Sequence, residues 1–152
     1  GFWEDVKSKK EYFNVITLNH VLAHIANPIK LIKEIKRILR KGGLFIVGVP
    51  NSNSLAYKIF KKDWYQLDFP RHLINCSDNN LSNILQENGF KIIKIRYNSR
   101  PSQFVVSLYY SLGIKKPSKI ITYLLNILLL PLTWLINILK KGDQIEIWCI
   151  GE

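Results

Sequence analysis

The chain has 152 residues, with 22 Lys+Arg against 11 Asp+Glu and a formal net charge of +11. That length suits one domain with a single core. Hydrophobic residues at 47% and charged ones at 22% exclude a disordered chain, a collagen-like repeat and a disulfide-rich scaffold.

Tyr12 to Leu18 (YFNVITL) has the β-branched and aromatic content of a buried strand. Asn27-Pro28 reads as a helix start, with Pro28 at or near the first helical position. Ile29, Ile32, Ile35, Ile38 and Leu39 then repeat at three- and four-residue spacing, and Gly42-Gly43 is expected to end this amphipathic helix. Leu44 to Val49 (LFIVGV) predicts a strand covered on both faces by helices. Pro50 to Ser54 carries strong turn chemistry.

Leu55 to Lys61 predicts a short helix, and Asp63 to Cys76 an irregular segment holding Trp64, Tyr65, Pro70, Arg71 and His72. Ser77-Asp78 caps a helix over Asn79 to Asn88, which Gly89 stops. Phe90 to Tyr97 is a third strand. Gln144 to Ile150 (QIEIWCI) alternates polar and apolar residues, as a strand near a sheet edge or against solvent does. The order is an α/β pattern with parallel crossovers.

No methionine occurs, and the sequence opens on Gly1-Phe2-Trp3, which trimming of an initiator or excision from a longer protein would both explain. Trp3-Glu4-Asp5 sits where the apolar run of a secretory signal would start, so none is expected. Cys76 and Cys149, far apart, give neither metal spacing nor a disulfide framework and point to a reducing compartment.

The positive charge has a particular distribution. Between Glu87 and Asp143 there is no acidic residue, while Lys115, Lys116, Lys119, Lys140 and Lys141 flank the uncharged run from Ile120 to Leu139. Bases on both sides of an apolar run are how a membrane-seeking segment meets an anionic leaflet. A nucleic-acid partner is not expected, because no recognition motif accompanies the charge. The second basic cluster, Lys30 to Lys41, reads as a solvated helix face.

The strings YFNVITLNHVLAHIANP, LRKGG, VPNSNS, Trp64 and PRHL, in this order, closely resemble the second half of a class I S-adenosylmethionine-dependent methyltransferase. The subgroup's usual pattern is HVLEH, PGG, VPN, W, PRHL and GF. The resemblance covers Tyr12 to Tyr97 and the closing strand. It implies an α/β fold, the C-terminal part of a Rossmann-like class I methyltransferase sheet with an apolar helical insertion before the last strand. Residues 1–97 would be the C-terminal part of the methyltransferase domain, 98–142 the basic-flanked insertion and 143–152 the closing strand. The family's glycine-rich cofactor loop and ribose-binding acid would lie upstream, so excision is the favoured account and this piece alone is expected to be inactive. Asn14, Ala23 and Lys41 depart from the usual Asp, Glu and Pro.

The resemblance implies S-adenosyl-L-methionine as cofactor, with Leu18, Asn19 and His20 lining its methionine moiety and methyl group. Ligands of open α/β sheets bind at such strand ends. His24 is a candidate proton acceptor, and Trp64, Arg71 and His72 are expected in the site cover, with Arg71 able to hold an anionic group. His20 and His24 lie four apart without an evident third ligand, so no metal is expected.

If the last two strands pair in one sheet, both ends of the insertion share one side. That favours a re-entrant or in-plane helical hairpin, with Pro131 as a kink or turn and Phe104 to Leu112 as the other arm. Trp134, Lys140 and Lys141 are expected membrane contacts; a wholly protein-buried pair or a dimer contact is the alternative.

The expected function is methyl transfer to a small-molecule, lipid-linked sugar or quinone-like acceptor. Its expected place is the cytoplasm, peripheral at the inner face of the membrane. The alternative is a degenerate or truncated module without catalysis that binds a membrane or a protein partner.

Overall fold

The computed structural model describes residues 9–152, so the readings on Gly1-Phe2-Trp3 and Trp3-Glu4-Asp5 lie outside the described residues. Asn27 starts helix α1 (Pro28–Ile38) by accepting the Lys30 N–H on its side-chain oxygen at 3.0 Å, and Pro28 fixes the first turn. Leu31, Ile32 and Ile35 form its buried stripe, while Ile29 faces outward. Ser54 and Ser77 cap α2 (Leu55–Phe60) and α3 (Asp78–Glu87) in the same way, and Leu81 and Leu85 are the buried residues of α3.

These helices serve a four-stranded sheet built from β1 (Phe13–Asn19), β2 (Leu39–Pro50), β3 (Phe90–Tyr97) and β4 (Gln144–Gly151). The spatial order is β1-β2-β4-β3, with β1 parallel to β2 and β4 antiparallel to both its neighbours. Phe45, Val47, Val49, Ile145, Ile147 and Cys149 share the core face, packed by the buried stripes of α1 and α3. Full burial of such side chains contributes about 1.5–3 kcal/mol each. Burial also pushes the Cys149 thiol up to about 12; it and Cys76 are free.

Three expectations change. Of the two readings of the closing strand, the place near an edge fails, since β4 lies between β2 and β3, while the face against solvent stands, with Glu146 and Trp148 half-buried in alternation with buried residues. For the same reason β2 is not covered on both faces, since Ile46 and Gly48 stay half-buried among the described residues. Gly42-Gly43 does not end α1. Leu39 is already extended and buried, and the two glycines lie inside β2 where its register against β1 shifts. A Cβ on Gly43 would stand 2.8 Å from the Arg40 carbonyl oxygen.

The segment between β3 and β4 forms α4 (Pro101–Ser111), α5 (Lys119–Leu128) and α6 (Leu130–Ile138). Its two ends meet. Asn137 pairs with the Ser99 backbone as a strand would, accepting its N–H at 2.8 Å and donating to its carbonyl at 3.2 Å. Asn51 donates to the Gly142 carbonyl at 2.9 Å, and its own N–H reaches the Asp143 carbonyl at 2.7 Å. Phe104 of α4 and Ile136 of α6 join Trp64 and Ala56 in a second apolar cluster.

Asp143 sits fully buried at this junction, and among the described residues neither carboxylate oxygen has a partner of good hydrogen-bond geometry, the Ser54 hydroxyl and Trp64 indole approaching it without meeting that standard. Burial pushes its carboxyl up to about 6, and the nearby Ser54 hydroxyl and Trp64 indole pull it only partly back. The unfolded chain ionises it near the ordinary 3.8. Its favourable contribution is therefore complete below pH ~4 and is lost as pH rises through about 6. Asp143→Asn should remove that loss. Urea denaturation is expected to show the variant gaining roughly 3 kcal/mol over the parent between about pH 4 and about pH 7. A difference that stays constant across this range would contradict the assignment.

Candidate active site

β1 ends at Asn19, and the chain turns on His20, whose φ of 55° lies in the left-handed region. For a residue other than glycine that conformation costs about 1–3 kcal/mol and clusters at functional sites. The His20 N–H still reaches the Gly48 carbonyl at 2.9 Å, so the turn is anchored to β2. In the sheet register Asn19 lies beside Gly48, and Gly48 beside Glu146. A Cβ on Gly48 would stand 3.2 Å from Asn19 Oδ1, a tight contact that Asn19 would have to yield to, and glycine leaves the middle of this row bare.

A cavity of about 590 Å³ lies beside the row. Asn19 and His20 come from the end of β1, and Tyr65 and Gln66 from the segment after α2. Asn98, Arg100, Ser102 and Gln103 come from the approach to α4 and its first turn, and Gln144 and Glu146 from β4. Every lining residue carries a polar group. Gln66 is 6% exposed, and its Nε2 donor is buried without a partner.

The three histidines of the chain converge here. The His24 and His72 ring centroids are 4.7 Å apart. His24 Nδ1 donates to the Arg71 carbonyl at 2.8 Å and His72 Nδ1 to the Gln66 carbonyl at 2.7 Å. A carbonyl only accepts, so both rings carry their proton on Nδ1 when neutral and leave Nε2 as acceptor. His20 is held below the ordinary histidine value, first by burial and then by the charges of His72 and His24. Of the three, His20 lines the cavity, and His24, the sequence candidate for proton acceptor, stands behind it. Among the described residues no set of His, Cys, Asp and Glu could hold a metal ion.

The remaining sequence candidates separate. Leu18 packs its side chain against the core, leaving Asn19 and His20 to face the cavity. Trp64 is 1% exposed and anchors the cover to the insertion through Tyr57, Phe104 and Ile136. Arg71 is exposed but paired with Asp68 at 2.6 Å, which raises its pKa, and it lines a separate cavity of about 300 Å³. His72 is buried. Trp134 and Lys140 are exposed. Lys141 is half-buried near Asp78. Burial would raise the Asp78 carboxyl, but donors on Tyr97, Asn53 and the Asn79 backbone, together with the Lys141 charge, hold it low.

Sequence reasoning missed Gln66, Asn98, Arg100, Ser102, Gln103, Gln144 and Glu146. The available signal was the polar string NSRPSQ between a strand and an apolar helix, followed by the first polar positions of the closing strand.

An uncharacterized protein of Methanocaldococcus jannaschii is 34% identical over 91 residues, which are 60% of this chain and 44% of that protein. An S-adenosylmethionine-dependent methyltransferase of Thermotoga maritima superposes with a TM-score of 0.60 at 17% identity, covering 100% of this chain and 62% of its own. One from Archaeoglobus fulgidus gives 0.58 at 16%, covering 94% and 61%. The chain thus spans less than half of the curated relative and about three fifths of these structures. At such identities the structures establish a shared Rossmann-like fold. The model of a methyltransferase-domain family matches residues 2–95, more than half of the chain, and the chain belongs to that family.

Proposed function

We propose that this chain forms the acceptor side, and part of the cofactor side, of an S-adenosylmethionine-dependent methyltransferase acting on a small-molecule, lipid-linked sugar or quinone-like acceptor beside a membrane. The observation that carries this is the polar cavity at the carboxyl end of β1, where open α/β sheets bind their ligands. Asn19 and the His20 turn, next to the bare Gly48, fit the methionine-and-sulfonium end of the cofactor: they offer hydrogen-bonding groups with no side chain in the way. When bound, S-adenosylmethionine supplies an electrophilic methyl group. The chain's own residues orient the acceptor and receive its proton. His20 is suited to the second task, because its lowered pKa keeps the ring neutral near pH 7.

The departures at Asn14 and Ala23, which favour a non-catalytic module, are both absorbed. Asn14 Oδ1 accepts from Arg40 at 2.9 Å. Ala23 is buried, and its carbonyl holds the Leu73 N–H of the cover at 2.8 Å. The test is calorimetry of the full-length protein with S-adenosylhomocysteine, where one-to-one binding is expected. No heat at all would remove the enzyme reading. In the same protein, histidine NMR should show His20 titrating below 6.5. His72→Gln should move it upward by removing a like charge; no movement would detach His72 from the site.

Membrane proximity is supported by α5 and α6. No residue of α5 is buried, and Ile120, Leu124, Leu128, Leu130, Trp134 and Leu139 are all more than half exposed. No single described helix is long and apolar enough to cross a membrane. The α5–α6 pair, bent by 43° at a break where Pro131 starts α6, meets that length and composition only together. α4 instead buries Phe104, Val105 and Tyr109. These exposures support an in-plane or re-entrant seat for α5 and α6, with Lys115, Lys116, Lys119 and Lys140 toward anionic headgroups. The full-length protein should sediment with phosphatidylglycerol vesicles. Leu124→Glu, Leu128→Glu and Trp134→Glu together should weaken this at least about tenfold without touching the core. Undiminished sedimentation of the triple variant would refute attachment through this face.

A further inference from the structure

We propose that the cavity receives the acceptor's headgroup, and that this headgroup is a hydroxyl-rich sugar carrying a negative charge, of the glycosyl phosphate type. The proposal rests on the methyltransferase reading only for the fate of that headgroup; its recognition stands on the cavity itself. A quinone-like ring needs an apolar slot, and this cavity offers none among its lining residues. Beyond Asn19, which belongs to the cofactor end, it offers amides on Gln66, Asn98 and Gln144 and a hydroxyl on Ser102, groups that both donate and accept, as sugar hydroxyls do.

Two observations support a polar ligand that carries a negative charge: Gln66 calls for an acceptor oxygen and Arg100 for an anion. Gln66 is buried with an unpartnered Nε2 donor, a state that costs about 1–3 kcal/mol until an acceptor oxygen arrives. Arg100 is exposed in the cavity and forms no ion pair among the described residues, whereas Arg71 is already held by Asp68. Arg100 also precedes the first turn of α4, the positive end of that helix, although Pro101 has no N–H and the Gln103 N–H is held by the Arg100 carbonyl at 3.1 Å. Glu146, which also lines the cavity, accepts the Trp148 indole N–H at 2.6 Å and has the Arg96 guanidinium at 3.9 Å. Its carboxylate accepts hydroxyls and repels a second anion. The phosphate therefore lies on the Arg100 side, and the sugar hydroxyls face Glu146 and His20.

The test uses full-length protein saturated with S-adenosylhomocysteine. Titration with a panel of hexose and N-acetylhexosamine 1-phosphates should give at least one ligand that binds about tenfold tighter than its uncharged sugar. Arg100→Gln should erase that tenfold preference, with an unchanged melting curve as the control on folding. Polyprenyl phosphosugars in micelles distinguish the source. Tighter binding than the free phosphate assigns a lipid-borne headgroup, and equal binding assigns a soluble one; either supports the site. Binding of a dimethoxybenzoquinone with no response to the whole panel would overturn the proposal. Failure of S-adenosylhomocysteine to bind while a sugar phosphate still does would instead sink the methyltransferase reading and leave the headgroup site standing.

Discussion

The antiparallel strand β4, held between β2 and β3, is the constraint on which the site depends. Because β3 and β4 run in opposite directions, the chain leaves the sheet at Tyr97 and returns at Gln144 on the same edge. That edge is also the carboxyl end of β1 and β2, since Asn19, Gly48 and Glu146 share one row. Whatever connects β3 to β4 must therefore rise beside the strand ends where ligands bind. A short turn would leave that space open. Here the connection fills it with three helices, whose first turn lines the cavity.

The connection is divided by packing. α4 turns Phe104 and Val105 inward against Trp64 and places its amino end over the strand tips. Ser107 fixes this seat, because its hydroxyl accepts the Tyr65 N–H at 2.9 Å and donates to the Gln103 carbonyl at 2.8 Å. The cover and α4 are thereby one unit, and Gln66 is carried into the cavity by it. Beyond Gly113 the pattern reverses. α5 touches α4 through the Tyr109–Thr122 hydroxyl pair at 2.9 Å but buries none of its own residues. One connection thus supplies a polar wall on one side and an apolar surface on the other. The amphiphilic acceptor proposed above would meet both.

Much of this fold was legible because local rules agreed with the final packing. Asn27-Pro28, Ser77 and Gly89 mark helix ends in the structure because each satisfies or releases a backbone group that the sequence already displays. Reading failed where the answer depended on a distant neighbour. Alternation in Gln144 to Ile150 means one covered face, which edge and central strands share when helices pack mainly on one side. Gly42-Gly43 looks like a helix stop, and only the buried Leu39 shows that the helix has already ended. At the site, motif strings led to Asn19, His20 and Arg71 but gave no rank among them. The strings single out Arg71, inside PRHL, and pass over Arg100. Asp68, three residues from Arg71, removes one from contention, and the other forms no ion pair among the described residues.

Arg100 also bears on His20. In the free protein its ring stays neutral because burial and two neighbouring histidines disfavour a third positive charge. An anionic headgroup seated at Arg100 places a negative charge in the same cavity and works in the opposite direction, raising the proton affinity of His20. The base would then be strongest when its substrate is present and weak when the cavity holds water. Such coupling needs no conformational change. It needs only that the arginine and the histidine share one partly dry cavity, where charges are screened less than in bulk solvent. The burial of Gln66 in the lining supports that condition on its side of the cavity, while Arg100 remains exposed.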